Sequence, residues 1–447
     1  MKKLLALFCT LAVTVSLLAM PAAAVGYDPS AVYSVQAAAA YVVNTDTNVI
    51  IYEKNSEQQM QANGLTKLMC AALVLTNYQD ALDTTTFTMT SAVSDYVYQT
   101  DYADFRPGET FTVREALYAM LLRNANDAAM GMAYQLSGND LTGWVSQMNS
   151  LSQKIGTTGS TWTDACGIDA GNVTTAKDMY LILRYLMDFD AFKEIEKTAL
   201  FVLPAKEKHS ATSNLLNLNV MVNATSGGQY YRSAVQGGIL DVKGYKADTG
   251  AQSAVSWATQ DGATYIFSIM GSPDTCDTYG YENRRPALFE TTKLVDWVFS
   301  SFTIQSALDT TQPLCEVKVD YAGNDSLLLY PADDLKTILP AGSDSSVTQK
   351  IYNLPESVAA PVHQGDVVGS VTLVLAGESI GTVDLLAGQD IERNSLLFAV
   401  AQLKAFFGSL YFRVVLTLSL ICLAVYLGWF LYHAYLYRND SHRIRRD

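Results

Sequence analysis

The stretch Ala62-Asn63-Gly64-Leu65-Thr66-Lys67 opens an apolar segment of helical length, Leu65 to Tyr78, and its reading decides the fold. A lysine three positions after a residue at the head of a helix shares a face with it. Two further stretches follow in order. Asn124-Ala125-Asn126-Asp127-Ala128-Ala129 lies inside a second helical region, and Gly244-Tyr245-Lys246 precedes the strand-like run Ala254 to Ala258.

Working outward, Tyr41 to Val43 and Val49 to Tyr52 are β-rich runs separated by the polar cluster Asn44 to Asn48, which predicts a hairpin. Thr112 with Glu115 three residues on is a capping-box pattern and opens a helical region reaching Leu136. Thr175 to Met187 and Phe192 to Lys197 read as helical. Strands are expected at Tyr230 to Val235, Ala254 to Ala258 and Thr264 to Met270, with a closing helix over Phe289 to Phe302. From about Gln312, short β-type runs such as Leu327 to Tyr330 and Val371 to Leu375 alternate with Gly, Pro, Asn and Asp, which predicts a small all-β domain over 312–392.

The three stretches resemble the three-element site of serine penicillin-recognising enzymes, Ser-x-x-Lys, Ser-x-Asn and Lys-Thr-Gly. The likeness is wider than the motifs. Gly108 to Val113 with Leu117 to Ala129, then Met148-Asn149, Thr161 to Ile168, Thr174 to Asp178 and Ala360 to Gly369 resemble successive stretches of the D-alanyl-D-alanine carboxypeptidases, the low-molecular-weight penicillin-binding proteins of peptidase type S11. Within Thr161 to Ile168, Asp164-Ala165-Cys166-Gly167-Ile168 stands where that family has Asn-Pro-His-Gly-Leu. The resemblance implies an α/β fold, with a β-lactamase/transpeptidase-like domain over 27–305 followed by the small β domain.

The departures decide the expected function. By the resemblance, the family's serine oxygen attacks the D-Ala-D-Ala carbonyl and the lysine helps remove its proton. Lys67 is in place, but position 64 is glycine and has no atom able to form an acyl-enzyme. Thr66 cannot easily substitute, because adjacent helix residues point about 100° apart. Asn124 stands where a hydroxyl would relay protons, while Asn126 keeps a carboxamide able to bind a substrate amide. At the third element Lys246 keeps its charge, Ala247 lacks a carboxylate-binding hydroxyl, and Asp248 puts a like charge where glycine is expected. Reading Asp248-Thr249-Gly250 as the motif instead loses the lysine. Each remnant also has a plainer role: Lys67 and Lys246 as solvated or paired lysines, Asn126 as a brace of helix packing.

The termini place the chain in the envelope. Lys2 and Lys3, the apolar run Leu4 to Met20 and Ala22-Ala23-Ala24 form a secretory leader over 1–24. Residues 395–412 read as an amphipathic connector, and 414–437 contains no Asp, Glu, Lys or Arg and is long enough to span a bilayer. The basic tail 438–447 sets that end in the cytoplasm, so the bulk is expected outside, on a single-pass anchor in a bacterial envelope. With a net charge of −14, the chain would repel phosphate backbones, and nucleic acid is not expected as a partner. Six cysteines show no CxxC spacing, and only His209 and His363 lie in the expected extracytoplasmic part, so neither a metal nor another cofactor is expected. Three functions remain: a non-acylating relative that binds peptidoglycan stem peptide or a cell-envelope protein; an active carboxypeptidase using an unrecognised nucleophile; and a structural spacer.

Overall fold

Ala39–Asn44 is buried at all six positions, and alternation sorts its side chains between two cores. Ala39, Tyr41 and Val43 join one hydrophobic cluster, while Ala40 and Val42 join the other. A strand buried on both faces must lie inside a sheet covered on both sides. The computed structural model of the protein describes residues 27–97, 100–209, 212–241, 251–277, 284–342, 348–375 and 378–443. The expected leader, the final residues of the tail, and Lys246, Ala247 and Asp248 lie outside these.

The strand belongs to a five-stranded antiparallel sheet, in the order Ile50–Lys54, Ala39–Asn44, Ala263–Pro273, Ala251–Gln260, Val235–Leu240. Ala39 pairs with Met270 and Asn44 with Tyr265, so the sheet closes between distant parts of the chain. One face is covered by helices Thr66–Tyr78, Val113–Arg123, Asn126–Leu136, Leu141–Ile155 and Ala176–Leu186, and the other by Pro286–Ser301. Each face thus buries the apolar stripe of its helices, which supplies the main driving force for folding.

The chain divides into two compact units. The first runs to Ser306 and takes in Lys336–Thr348 and Val374–Ile380; the second holds Ala307–Leu335, Gln349–Leu373 and the chain from Gly381 on. A six-stranded sheet orders Gln349–Asn353, Val367–Leu375, Glu378–Ala387, Ser326–Pro331, Cys315–Asp320 and Ser357–Ala359. Helices Ser395–Gly408 and Leu410–Arg443 follow, and Leu410–Tyr435 is long and apolar enough to cross a membrane.

Several expectations are corrected. The helical region from Thr112 is not continuous: the Thr112–Glu115 capping box forms, but the helix ends at Arg123, and a new one begins at Asn126. The strand expected at Tyr230 to Val235 lies instead at Val235–Leu240, after a short 3-10 turn at Gly228–Tyr230. Helix Leu141–Ile155 went unread, although Asp140 caps its first turn and Gly156 ends it with φ 101°. The connector is a helix with Leu396, Leu403 and Phe407 exposed and Phe398 half-buried, its ring 5.5 Å from that of Tyr321. It stops at Ser409, whose hydroxyl accepts from Phe412 N–H and caps the next helix.

Candidate active site

Gly64 is buried in a single 3-10 turn, Asn63–Leu65, that leads into helix Thr66–Tyr78. Its N–H donates to the Asp241 carboxylate at 3.2 Å, just beyond the strand Val235–Leu240. One helical turn later Lys67 is only 1% exposed, and its Nζ donates to the Cys166 carbonyl at 2.7 Å. That carbonyl is presented by a turn folded around Asp164, whose carboxylate accepts the N–H groups of Cys166, Gly167 and Asp169 at 2.9, 2.5 and 2.6 Å. Gly167 makes the close approach possible: it has φ +87°, and a side chain there would strike the Asn63 carbonyl.

Asn124 explains the break in the second helical region. It ends the helix in the left-handed conformation, φ 59° and ψ 31°, which asparagine tolerates better than most residues. The turn aims its carboxamide at Gly64. A Cβ built on Gly64 would meet Asn124 Oδ1 at 2.9 Å and Cγ at 3.0 Å, with the amide nitrogen nearer still. Asn124 Nδ2 donates to the Leu240 carbonyl at 3.1 Å, while Oδ1 is buried without a hydrogen-bond partner among the described residues. The space that a side chain at position 64 would need is therefore filled by Asn124. Asn126, also buried, starts the next helix and gives its N–H to the Asp101 carbonyl at 2.9 Å.

The electrostatics follow from burial. Desolvation lowers the Lys67 pKa against the opposing pull of Cys166, Asp241, Asp101 and Asp164. Burial pushes the thiols of Cys70 and Cys166 up to about 12, so neither is a thiolate near neutral pH. The Thr66 hydroxyl belongs to a fully buried residue and lacks a hydrogen-bond partner among the described residues. Among the described residues no group of three or more His, Cys, Asp or Glu side chains is disposed to hold a metal ion.

Structure thus brings Gly64 and Asn124 into contact, sets Lys67 one turn on and Asn126 beside Asp101; the third element lies outside the described residues. Asp241 and Asp164 were not anticipated as members of the site. An acidic residue ending a strand, and one opening a Gly-containing turn, were the available signals.

Residues 26–271 match the peptidase S11 family, D-alanyl-D-alanine carboxypeptidase, and residues 301–393 match the C-terminal domain of penicillin-binding protein 5. The chain belongs to the D-alanyl-D-alanine carboxypeptidase family. It is 22% identical over 372 residues to the carboxypeptidase DacF of Bacillus subtilis, covering 81% of this chain and 87% of the relative. It is likewise 22% identical to DacC of Escherichia coli over 398 residues, covering 84% and 90%. Among solved structures, penicillin-binding protein 5 of Haemophilus influenzae aligns with TM-score 0.60 at 21% identity, covering 81% of this chain and 99% of that one. A Streptococcus pneumoniae protein described as a peptidoglycan synthesis regulatory factor aligns with TM-score 0.58 at 20% identity, covering 80% and 100%. The carboxypeptidase family and its two-domain plan are those the resemblance implied.

Proposed function

We propose that this protein is a non-acylating member of the carboxypeptidase family, held in the membrane by the helix from Leu410, which binds peptidoglycan stem peptide or a cell-envelope protein. One observation carries the reading: position 64 has no oxygen, and the Asn124 carboxamide fills the space beside it. Covalent catalysis divides one difficult step into two, and it needs a nucleophile with room to move. The nearest alternatives speak against an unrecognised nucleophile, since Thr66 is fully buried and Cys166 is both buried and protonated. The buried carboxamide oxygen of Asn124, without a hydrogen-bond partner among the described residues, supports binding in place of turnover, as it leaves a hydrogen bond for a ligand to complete.

Labelling the purified chain with a fluorescent penicillin, followed by intact mass, tests the reading. No adduct is expected, and no D-alanine should be released from a stem peptide. Stoichiometric labelling would overturn it, and mapping the adduct would identify the nucleophile. Restored turnover is expected to need Gly64→Ser with Asn124→Ser, Ala247→Thr and Asp248→Gly together. For the anchor, protease added to wall-stripped cells should destroy the bulk of the chain and spare the tail after Arg438; protection of the bulk would reverse the orientation.

A further inference from the structure

Between strands Leu200–Leu203 and Ser213–Leu216 the chain carries Lys206, Lys208 and His209, which reach across to the segment 104–115. His209 is held from both sides. Its Nδ1 lies 2.8 and 3.0 Å from the two Glu109 oxygens, and its Nε2 lies 2.7 Å from Asp104 Oδ2. Glu109 is fully buried and also accepts from the N–H groups of Arg106 and Lys208 at 3.0 and 2.9 Å. Arg106 pairs with Asp104 at 2.7 Å and donates to the Lys208 carbonyl at 2.9 Å, while Lys208 Nζ reaches the Pro107 carbonyl. Lys206 makes a separate pair with Glu115 at 2.8 Å, with neither side chain more than 15% exposed. The charged groups facing His209 are therefore Asp104, Arg106 and Glu109 across the contact, with Lys206, Glu207 and Lys208 adjoining it on its own segment.

Of the residues joined here, Asp104 also lines a cavity of about 550 Å³. Thr100, Asp101, Tyr102 and Asp104 line one side, and Ser213, Asn214, Leu215 and Leu218 the other. It abuts the Gly64 site: Arg123 in its lining directly precedes Asn124, and the Asp101 carbonyl receives the Asn126 N–H. Asp104 thus has two offices, as cavity wall and as acceptor for His209.

A neutral imidazole carries one proton and can donate from one nitrogen only. Carboxylates at both nitrogens suit the imidazolium alone, because in the neutral ring one lone pair would face a carboxylate. We infer that His209 is a protonation-dependent latch, which as imidazolium ties the 100–109 segment to residues 204–209 and as neutral imidazole releases Asp104 and lets the cavity widen. Burial opposes the charge on His209, but its hydrogen bonds to Asp104 and Glu109 outweigh burial and raise its pKa. Such a raised value means the stabilisation is fully present below the unfolded value of about 6.5 and is lost as pH rises through the folded value. The latch is closed in acidic surroundings and opens as pH rises through the raised folded value. The Lys206–Glu115 pair and the Arg106 bond to the Lys208 carbonyl leave the hairpin tethered when the latch is open.

Hydrogen exchange on the purified full chain in detergent, corrected for the chemical exchange rate, tests the latch between about pH 6 and about pH 9, either side of the histidine range. Peptides from 100–109 and 212–218 should lose protection roughly tenfold on going to the higher pH, the scale of one charge-assisted hydrogen bond lost. His209→Gln should exchange fast at both values. His209→Arg, permanently charged and able to donate to both carboxylates, should stay protected at both. Protection that does not change with pH in the unaltered chain, or the same pH dependence surviving in His209→Gln, overturns the inference. Because the readout is exchange, it is independent of whether the protein binds stem peptide or labels with penicillin.

Discussion

Two parts of the first unit treat polar groups in opposite ways. Around the site, carboxylates are matched to backbone donors: Asp127 accepts from Ala103, Phe105 and Ala128, and Asp178 accepts from Thr158 and Gly159 and the Ser160 hydroxyl. Asp164 does the same for the turn beneath Lys67. At the site itself, Asn124 Oδ1 and Thr66 Oγ1 are buried and unmatched among the described residues. An unmatched buried polar atom costs free energy, whereas a matched one fixes the backbone that holds it. These three carboxylates are thus matched where the two site atoms are not, although Trp144 Nε1, Glu196 Oε1 and Ser268 Oγ are also unmatched among the described residues. What distinguishes the two is the presence of a partner, not polarity or burial.

The largest effect should come from breaking the matched side. Asp164→Ala leaves three backbone N–H groups without an acceptor and should cost about 3 kcal/mol in chemical denaturation. A loss under about 1 kcal/mol would mean that water replaces the carboxylate and would weaken the contrast. Next in size is Gly64→Ser, which drives a side chain into the Asn124 carboxamide and should cost about 2 kcal/mol. Adding Asn124→Ser should recover much of it, so the two changes are coupled in a double-mutant cycle; strict additivity would show that the space is not shared.

Lys67 gives a smaller, pH-dependent effect. Burial lowers its pKa in the folded chain, whereas the unfolded chain keeps the proton up to about 10.4. Between those values the unfolded state binds more protons, so stability should rise with pH, by about 1.4 kcal/mol per unit at most. Lys67→Met should abolish that slope in denaturation curves taken from neutral pH to about 9.5, below the lysine range. An unchanged slope would assign it to other groups. Smallest of all, Thr66→Val removes a hydroxyl with no partner among the described residues and should be neutral or stabilising by less than about 1 kcal/mol in thermal melts. A clear destabilisation would mean the hydroxyl is matched after all.

These elements also show where sequence was a sufficient guide. The hairpin, the capping box at Thr112 and the strand pair after Gln252 are local patterns, set by alternation or by one hydrogen-bonding side chain. Glycine was likewise visible at position 64. The break at Asn124 was not, because Asn124-Ala125-Asn126-Asp127-Ala128-Ala129 carries no proline or glycine and one residue changes hand. Strand Val235–Leu240 was masked by Gly237 and Gly238, which are small because Trp257 and the backbone of the adjacent strand crowd them. That Asn124 fills the place of a side chain at 64 depends on a contact across 60 residues, which no local pattern encodes.

The pairing of Ala39 with Met270 also sets a timetable. The strand Ala39–Asn44 leaves the ribosome early, and although one partner, Ile50–Lys54, follows at once, the other is made more than two hundred residues later. At about 5–20 residues per second, that strand waits on the order of ten seconds or longer with its apolar faces uncovered. Throughout that interval the early hairpin stands alone, and the five-stranded sheet cannot be completed until Ala263–Pro273 arrives between its two halves.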